Sequence, residues 1–349
     1  MAERAQPSPQ PLDGDPVSRV IVAGASGLAG ALAADLVWHH PKLELARASS
    51  RSDAGTRICD LHPRHRVPME LTELDVDAAT DCDAAIVAYP HGAAAPVVAG
   101  LRELGLIVVD LSADFRLRDP NVYADWYGEL AAPELLGEAV YGLPELYRDK
   151  IRSAELVANP GCYPTATILT LAPLAAAGLI ADVVVDAKSG VSGAGRGGGD
   201  RLSFVSLTEN AMPYGTAGHR HEPEIAQELA ALSGSSAPPL TFVPHLLPID
   251  QGELVSCYVR PAREVDAEEV RALYAERYAG EEWVEVLDER PPSMREVRES
   301  NLCRIHVDVD RGGRILAFGS IDNLWKGAAG QAIQNLNLML GIDENLGLG

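Results

Sequence analysis

The chain has 349 residues, enough for two domains, with 47% hydrophobic and only 5% aromatic residues and a formal charge of −21 at neutral pH. That charge repels nucleic acid and anionic membranes, and no apolar run reaches the roughly 18 residues of a membrane span. Cysteines at 59, 82, 162, 257 and 303, scattered and odd in number, argue against a disulfide framework and for a reducing compartment.

Residues 1–16 hold several prolines and no apolar stretch, so they read as a disordered tail and not a secretory signal. Residues 20–23 predict a buried strand. Gly24-Ala25-Ser26-Gly27-Leu28-Ala29-Gly30 follows, then an Ala/Leu-rich helix to about His39. Glycines between a strand and a helix let a pyrophosphate approach the backbone at the helix N-terminus, a variant of the dinucleotide fingerprint. The second strand, 43–48, ends in Ser49-Ser50-Arg51-Ser52. A fold that prefers NAD places an acid here for the ribose 2′-hydroxyl. Hydroxyls with Arg51 suit a 2′-phosphate instead, so the cofactor reads as NADP, unless Arg51 is only a solvated loop charge.

Cys59-x-x-His62-x-x-His65 has metal-like spacing, but it lies in a Pro/Arg-rich loop with no evident fourth ligand, and no metal is expected. Apolar runs 84–88 and 106–111 lead into Tyr89-Pro90-His91-Gly92 and Ser112-Ala113-Asp114-Phe115-Arg116. In a parallel sheet such strand ends line the ligand crevice. Arg116 there is either a bidentate clamp for an oxyanion or half of a surface Arg–Asp pair.

The chain is organised around Asn159-Pro160-Gly161-Cys162-Tyr163-Pro164-Thr165. Residues 156–158 read as a strand and 166–174 as a helix, which puts Cys162 on the turn just before a helix N-terminus. Unpaired N–H groups and the helix dipole favour a thiolate there, and Pro164 suits the first turn. The competing reading is a packed core thiol.

A strand at 183–188 enters the glycine-rich segment 189–199, which reads either as a mobile binding loop, with Lys188, Arg196 and Arg201 gathering positive charge in and beside it, or as a plain flexible connector. His219-Arg220-His221 precedes a helix from about Pro223 to Leu232. The two histidines and the acid behind them supply either a general base with its orienting carboxylate or hydrogen-bonding surface groups. Strands at 254–259, 284–287, 302–309 and 314–318 alternate apolar and polar residues, as in a largely antiparallel sheet with one covered face. Asp266 and Glu269 cap an intervening helix. The last helix, with Ile333, Leu336 and Leu340 on one face, needs a surface to dock on, and the first domain is the natural one.

Six ordered motifs (Gly24 to Gly30, Ser112 to Arg116, Asn159 to Thr165, Ser189 to Arg196, His219 to Ile225 and Asn323 to Ala332) resemble those of N-acetyl-gamma-glutamyl-phosphate reductases. The likeness runs from about Arg19 to the C-terminus. Leu28 stands where that family commonly has tyrosine, and the N-terminal extension lies outside the pattern.

The resemblance implies an α/β protein. A Rossmann-type NADP-binding domain, residues 17–160 completed by 327–349, is joined to an α+β catalytic and oligomerisation domain, 161–326, with a mixed, largely antiparallel sheet. It implies a cytoplasmic homodimer or homotetramer acting on a small acyl phosphate in arginine biosynthesis. Cys162 forms a thioester, which NADPH reduces. His219 is the expected base and His221 its alternative, with Glu224 orienting it and Asn159 helping to hold the oxyanion. Ser112, Arg116, Arg196, Arg220 and His221 are expected at the substrate. Gly24, Ser26, Gly27, Leu28, Ser49, Ser50 and Arg51 are expected at the adenosine half of the cofactor, Ser192 and Gly193 also at the cofactor, and Asn323 and Lys326 nearer its nicotinamide or the substrate. The rivals are a lysine-pathway reductase of a carrier-linked aminoadipyl phosphate, aspartate-semialdehyde dehydrogenase, and a non-catalytic NADP-sensing regulator.

Overall fold

The computed structural model describes residues 17–197 and 199–349, without the Arg201 side chain; the tail expected at 1–16 and Gly198 of the glycine-rich segment lie outside the described residues. The chain divides into two compact units, Met1–Pro160 with Ala328–Gly349, and Gly161–Gly327.

The first unit holds strands β1 (Ser18–Ala23), β2 (Leu43–Ser49), β3 (Ala84–Val87), β4 (Ile107–Asp110), β5 (Val140–Tyr141) and β6 (Leu156–Ala158). They form one parallel sheet in the order β2-β1-β3-β4-β6-β5. Helices α1 (Leu28–His39), α2 (Ile58–Leu61), α3 (Ala95–Glu103), α4 (Pro120–Tyr127) and α5 (Pro144–Arg152) connect and flank it. The strands are short apolar runs because helices cover both faces of a parallel sheet. Side chains alternate between the two faces: Ile21, Ala23, Ala85, Val87 and Val108 join Val98 and Leu101 of α3, with Phe115 and Tyr123, in one core. Strand order reverses between β1 and β3, so a crevice opens at the carboxyl end of β1, where the glycine turn lies.

The second unit holds β7 (Ile180–Ser189), β8 (Met212–Pro213), β9 (Leu240–Leu246), β10 (Glu253–Pro261), β11 (Val284–Val286), β12 (Cys303–Val309) and β13 (Ile315–Ile321), with helices α6 (Cys162–Ala176), α7 (Phe204–Leu207), α8 (Glu222–Ser233) and α9 (Ala267–Arg277). The sheet order is β11-β12-β13-β10-β7-β9-β8. It is mixed: β11/β12 and β7/β9 pair parallel and the other neighbours antiparallel.

Helix α6 lies across this sheet with nearly every residue from Tyr163 to Ala175 buried. Each of Ile168, Leu169, Leu171 and Leu174 contributes roughly 1.5–3 kcal/mol by leaving water. The fit is tight enough to exclude a methyl group: a Cβ on Gly319 of β13 would stand 1.8 Å from Thr170 Oγ1. Pro173 has no N–H for the Leu169 carbonyl four residues back. The Tyr278 hydroxyl donates to that carbonyl, and the Tyr274 hydroxyl donates to Thr170 O at 2.6 Å. These tyrosines hold α6 continuous through a residue that normally breaks a helix.

The chain then returns to the first unit with α10 (Gly330–Met339), buried along its whole length against α1, α5 and β4. Among the described residues no helix is long and apolar enough to cross a membrane.

Candidate active site

Cys162 is the first residue of α6, one turn earlier than the periodicity predicts, and Gly161 is its N-cap. No side chain caps this end, Cys162 is partly accessible, and Pro164 removes one of the N–H groups that would otherwise be orphaned. The N–H groups of Cys162 and Tyr163 and the dipole of a fifteen-residue helix remain to favour a sulfur anion. Two close approaches set the cysteine. Gly161 N–H donates to Glu224 Oε1 at 3.0 Å, from the first turn of α8. A Cβ on Gly327 would stand 2.8 Å from the Cys162 Cβ. Buried Glu224 thus braces the turn that carries the cysteine.

A cavity of about 280 Å³ opens at the sulfur, lined among others by Cys162, Tyr163, Ser189, Tyr214, His219, Arg220 and His221. His219 sits among Tyr163, Tyr214, His221 and Phe242. Burial, with a smaller push from Arg220, lowers its pKa to about 4, so the ring is neutral near pH 7. Its Nδ1 accepts from the His221 backbone N–H at 3.2 Å. A nitrogen that accepts carries no proton, which leaves the proton on Nε2. In this state His219 offers the pocket a hydrogen-bond donor, whereas the sequence reading expects a base. The Tyr214 hydroxyl donates to Tyr163 at 3.2 Å, and burial holds both phenols well above the ordinary range.

Arg220 lines the same cavity, while Arg196 is exposed on the glycine-rich segment and is not among the lining residues. Gly193 lines the cavity too. Ser192 and Asn323 spend their side chains on bracing: Ser192 Oγ donates to Asp250 O at 2.7 Å, Asn323 Nδ2 donates to Ser192 Oγ at 3.0 Å, and Asn323 Oδ1 accepts from Gly252 N–H at 2.8 Å. Lys326 is fully buried in the π-helical turn Trp325–Ala329.

Several other expected site residues belong to the first unit. Arg116 is 5% exposed; Nε donates to the Asn159 carbonyl and one Nη to the Leu111 carbonyl, each at 2.7 Å. Ser112 Oγ donates to Asp110 at 2.6 Å, and burial raises the Asp110 pKa to about 7. Asn159 donates through Nδ2 to Ala328 O and accepts at Oδ1 from Asn335. These contacts share one cause: strand ends and the docked α10 leave backbone groups that must be satisfied, and these side chains satisfy them.

The cofactor candidates fit a dinucleotide. Gly24 has φ +91°, and a Cβ there would stand 2.6 Å from Ala88 O; one on Gly30 would stand 2.2 Å from Gly24 O. Only glycine permits this turn. Gly27 is the N-cap of α1, whose first residue is Leu28, and no side chain caps that end. The Ser49 carbonyl accepts from Gly24 and Ala25, and the Ser26 and Ser50 hydroxyls meet at 2.8 Å. Exposed Arg51 borders a second cavity with Glu73, Tyr89 and Pro96. In the Cys59/His62/His65 segment, His62 Nε2 bonds Ser26 O and His65 pairs with Asp35, the two rings standing 6.1 Å apart.

One residue beside the sulfur escapes the sequence reading. Glu253 opens β10, is fully buried, and interacts with Cys162 and Ser189. Its signal is the period-two pattern Glu253, Val255, Cys257, Val259, all buried on one face. The expected strand begins one residue later and so omits the acid.

The chain matches the semialdehyde dehydrogenase NAD-binding domain over residues 19–154 and the semialdehyde dehydrogenase dimerisation domain over residues 162–323. It is 46% identical to the N-acetyl-gamma-glutamyl-phosphate reductase of Moorella thermoacetica, covering 94% of this chain and 96% of that one. It is 48% identical to the protein of the same name from Halorhodospira halophila, with the same coverage. Among solved structures, aspartate-semialdehyde dehydrogenase II of Vibrio cholerae aligns with a TM-score of 0.72 at 17% identity, over 94% of this chain and 99% of that one. The Candida albicans aspartate-semialdehyde dehydrogenase with NADP aligns with a TM-score of 0.68 at 18% identity, over the same shares. At those identities the structures speak for the fold alone.

Proposed function

The chain belongs to the N-acetyl-gamma-glutamyl-phosphate reductase family, and from that premise we infer how it reduces N-acetyl-gamma-glutamyl phosphate to N-acetyl-L-glutamate 5-semialdehyde and phosphate in arginine biosynthesis. Relatives of that name, 45–48% identical across 94–95% of the chain, favour this substrate over a carrier-linked aminoadipyl phosphate. The observation that carries the chemistry is the convergence of Cys162, His219 and Arg220 on one cavity at an uncapped helix N-terminus.

Cys162 attacks the acyl carbon as a thiolate; the carbon–sulfur bond forms, the carbon–oxygen bond to phosphate breaks, and a thioester remains. NADP, when bound in its reduced form, supplies the hydride that converts the thioester to a tetrahedral alkoxide. That alkoxide collapses to the aldehyde and returns the thiolate. His219, through Nε2–H, and the N–H groups at the start of α6 hold the negative oxygen during both tetrahedral stages. A neutral imidazole suits this task, because it polarises the oxygen without a proton having to be recovered. Arg220 pairs with the anionic substrate. Glu224 keeps the turn in place. Gly24, Ser26, Gly27, Leu28, Ser49, Ser50 and Arg51 hold the adenosine half of NADP, with Arg51 at the 2′-phosphate.

The dimerisation-domain match supports self-association. We place the oligomer, a homodimer or homotetramer, in the cytoplasm, consistent with cysteines that form no disulfide. The test follows NADP reduction at fixed semialdehyde and phosphate, with wild type beside Cys162→Ser. Phosphate-dependent NADPH formation by the wild type alone supports the thioester route, and activity retained by the serine variant overturns it.

A further inference from the structure

Glu253 is 0% exposed at the first position of β10, between Ser189 of β7 and Ile321 of β13. Its side chain faces α6, on the same side of the sheet as Val255, Cys257 and Val259. Farther along the helix, Thr170 lies against Gly319, the strand partner of Val255. The start of α6 therefore lies over Glu253, and the thiol it meets there is that of Cys162.

Both carboxyl oxygens are buried without a well-formed hydrogen bond. The groups acting on the carboxyl are the Cys162 thiol, the Ser189 hydroxyl and the Asp322 carboxylate, none of them cationic. Tyr163 and Tyr214 also face it, and Ser189 already bonds Gly190 O. An unpaired carboxylate at such depth is too costly to persist, so the group is a carboxylic acid with one O–H to donate. Burial, reinforced by Asp322, lifts its pKa to about 8, which keeps it in the acid form at neutral pH.

We propose that Glu253, in its acid form, donates a hydrogen bond to the Cys162 sulfur from beneath the pocket and so holds the nucleophile as a thiolate. It acts through Cys162 and touches no substrate, so it is a positioning residue, and the inference rests on the reading of Cys162 as nucleophile. The helix N-terminus and Glu253 then act together to favour a thiolate at Cys162. Ionisation of Glu253 reverses the effect, because a carboxylate beside the sulfur opposes the second negative charge.

The experiment measures the rate of Cys162 alkylation by iodoacetamide against pH, with the labelled site located by mass spectrometry and Cys162→Ser as the blank. Glu253→Leu removes the donor, and neutral-pH alkylation is expected to fall about tenfold, corresponding to about one unit of thiol pKa. Glu253→Gln restores a neutral donor and is expected to recover most of that loss, following a single ionisation. The wild type departs from a single ionisation near pH 8, as Glu253 titrates. Should the leucine variant not fold, the profiles of wild type and Gln decide alone. Equal profiles for the two, or a Gln variant as slow as Leu, overturn the proposal. A wild-type Cys162 that is not alkylated at all overturns instead the nucleophile reading beneath it.

Discussion

In the first unit, Ser112, Arg116 and Asn159 stand at the carboxyl ends of parallel strands and turn inward, to an aspartate, to backbone carbonyls and to the docked α10. In the second, Cys162, His219 and Arg220 stand at helix starts and a connecting loop and turn toward open space. The two regions use similar residue types for opposite ends. A strand end that abuts a docked helix leaves carbonyls needing donors, and a buried arginine answers that need. An uncapped helix start leaves N–H groups needing an anion, and a thiolate or a substrate oxygen answers that one.

Mutation breaks or sharpens this contrast. The largest effect belongs to Cys162→Ser, expected to lower kcat by roughly 10⁴-fold or more while NADP binding, followed by fluorescence titration, stays as it was. His219→Ala is expected to cost about 10²–10³-fold in kcat, the loss seen when one oxyanion donor is removed. Its pKa of about 4 sets the pH sign: the neutral ring, whose Nδ1 accepts from the His221 N–H, prevails above that value and protonation breaks that bond below it, so its acid limb falls near pH 4. A limb near 6.5 in the kcat/KM profile would show instead that an ordinary histidine base is at work.

The arginines test the contrast directly. Arg116→Ala leaves the Asn159 and Leu111 carbonyls without their donor and is expected to destabilise by about 3 kcal/mol in urea unfolding. Arg220→Ala is expected to leave unfolding unchanged and to raise KM for the acyl phosphate about tenfold or more. The reverse pattern would return Arg116 to the substrate. The smallest effect is that of Arg51→Ala, expected to weaken NADPH by about tenfold, roughly 1.4 kcal/mol, and to leave NADH unchanged.

The strands and the two chemical motifs were legible because they depend on local pattern: apolar runs for the parallel sheet, alternation for the mixed sheet, and a cysteine between a strand and a helix. Helices α3 and α5 went unread because each is only nine residues long with a proline in its first turn, Pro96 and Pro144. Strand β9 was missed because Pro244 interrupts it. Within the site, His221 lines the cavity alongside His219, which the sequence offered as the base. The tautomer of His219 depends on a backbone N–H two residues on and its charge state on burial by Tyr163, Tyr214 and Phe242, and spacing encodes neither. Glu224 came with its motif, yet its partner is Gly161, sixty-three positions away.

The burial of α6 has a consequence for how the enzyme wears out. A nucleophile on a loop can be lost by fraying while the remainder of the protein persists. Here the helix behind Cys162 is wedged against Gly319 and pinned by Tyr274 and Tyr278, so it cannot peel away without opening the sheet beneath it. Its amides belong among the last to exchange with heavy water, and heat should abolish thiol reactivity and the tertiary structure of this unit at one temperature. Thermal loss of the catalyst is then all-or-none, with no partly melted population that has lost only its nucleophile.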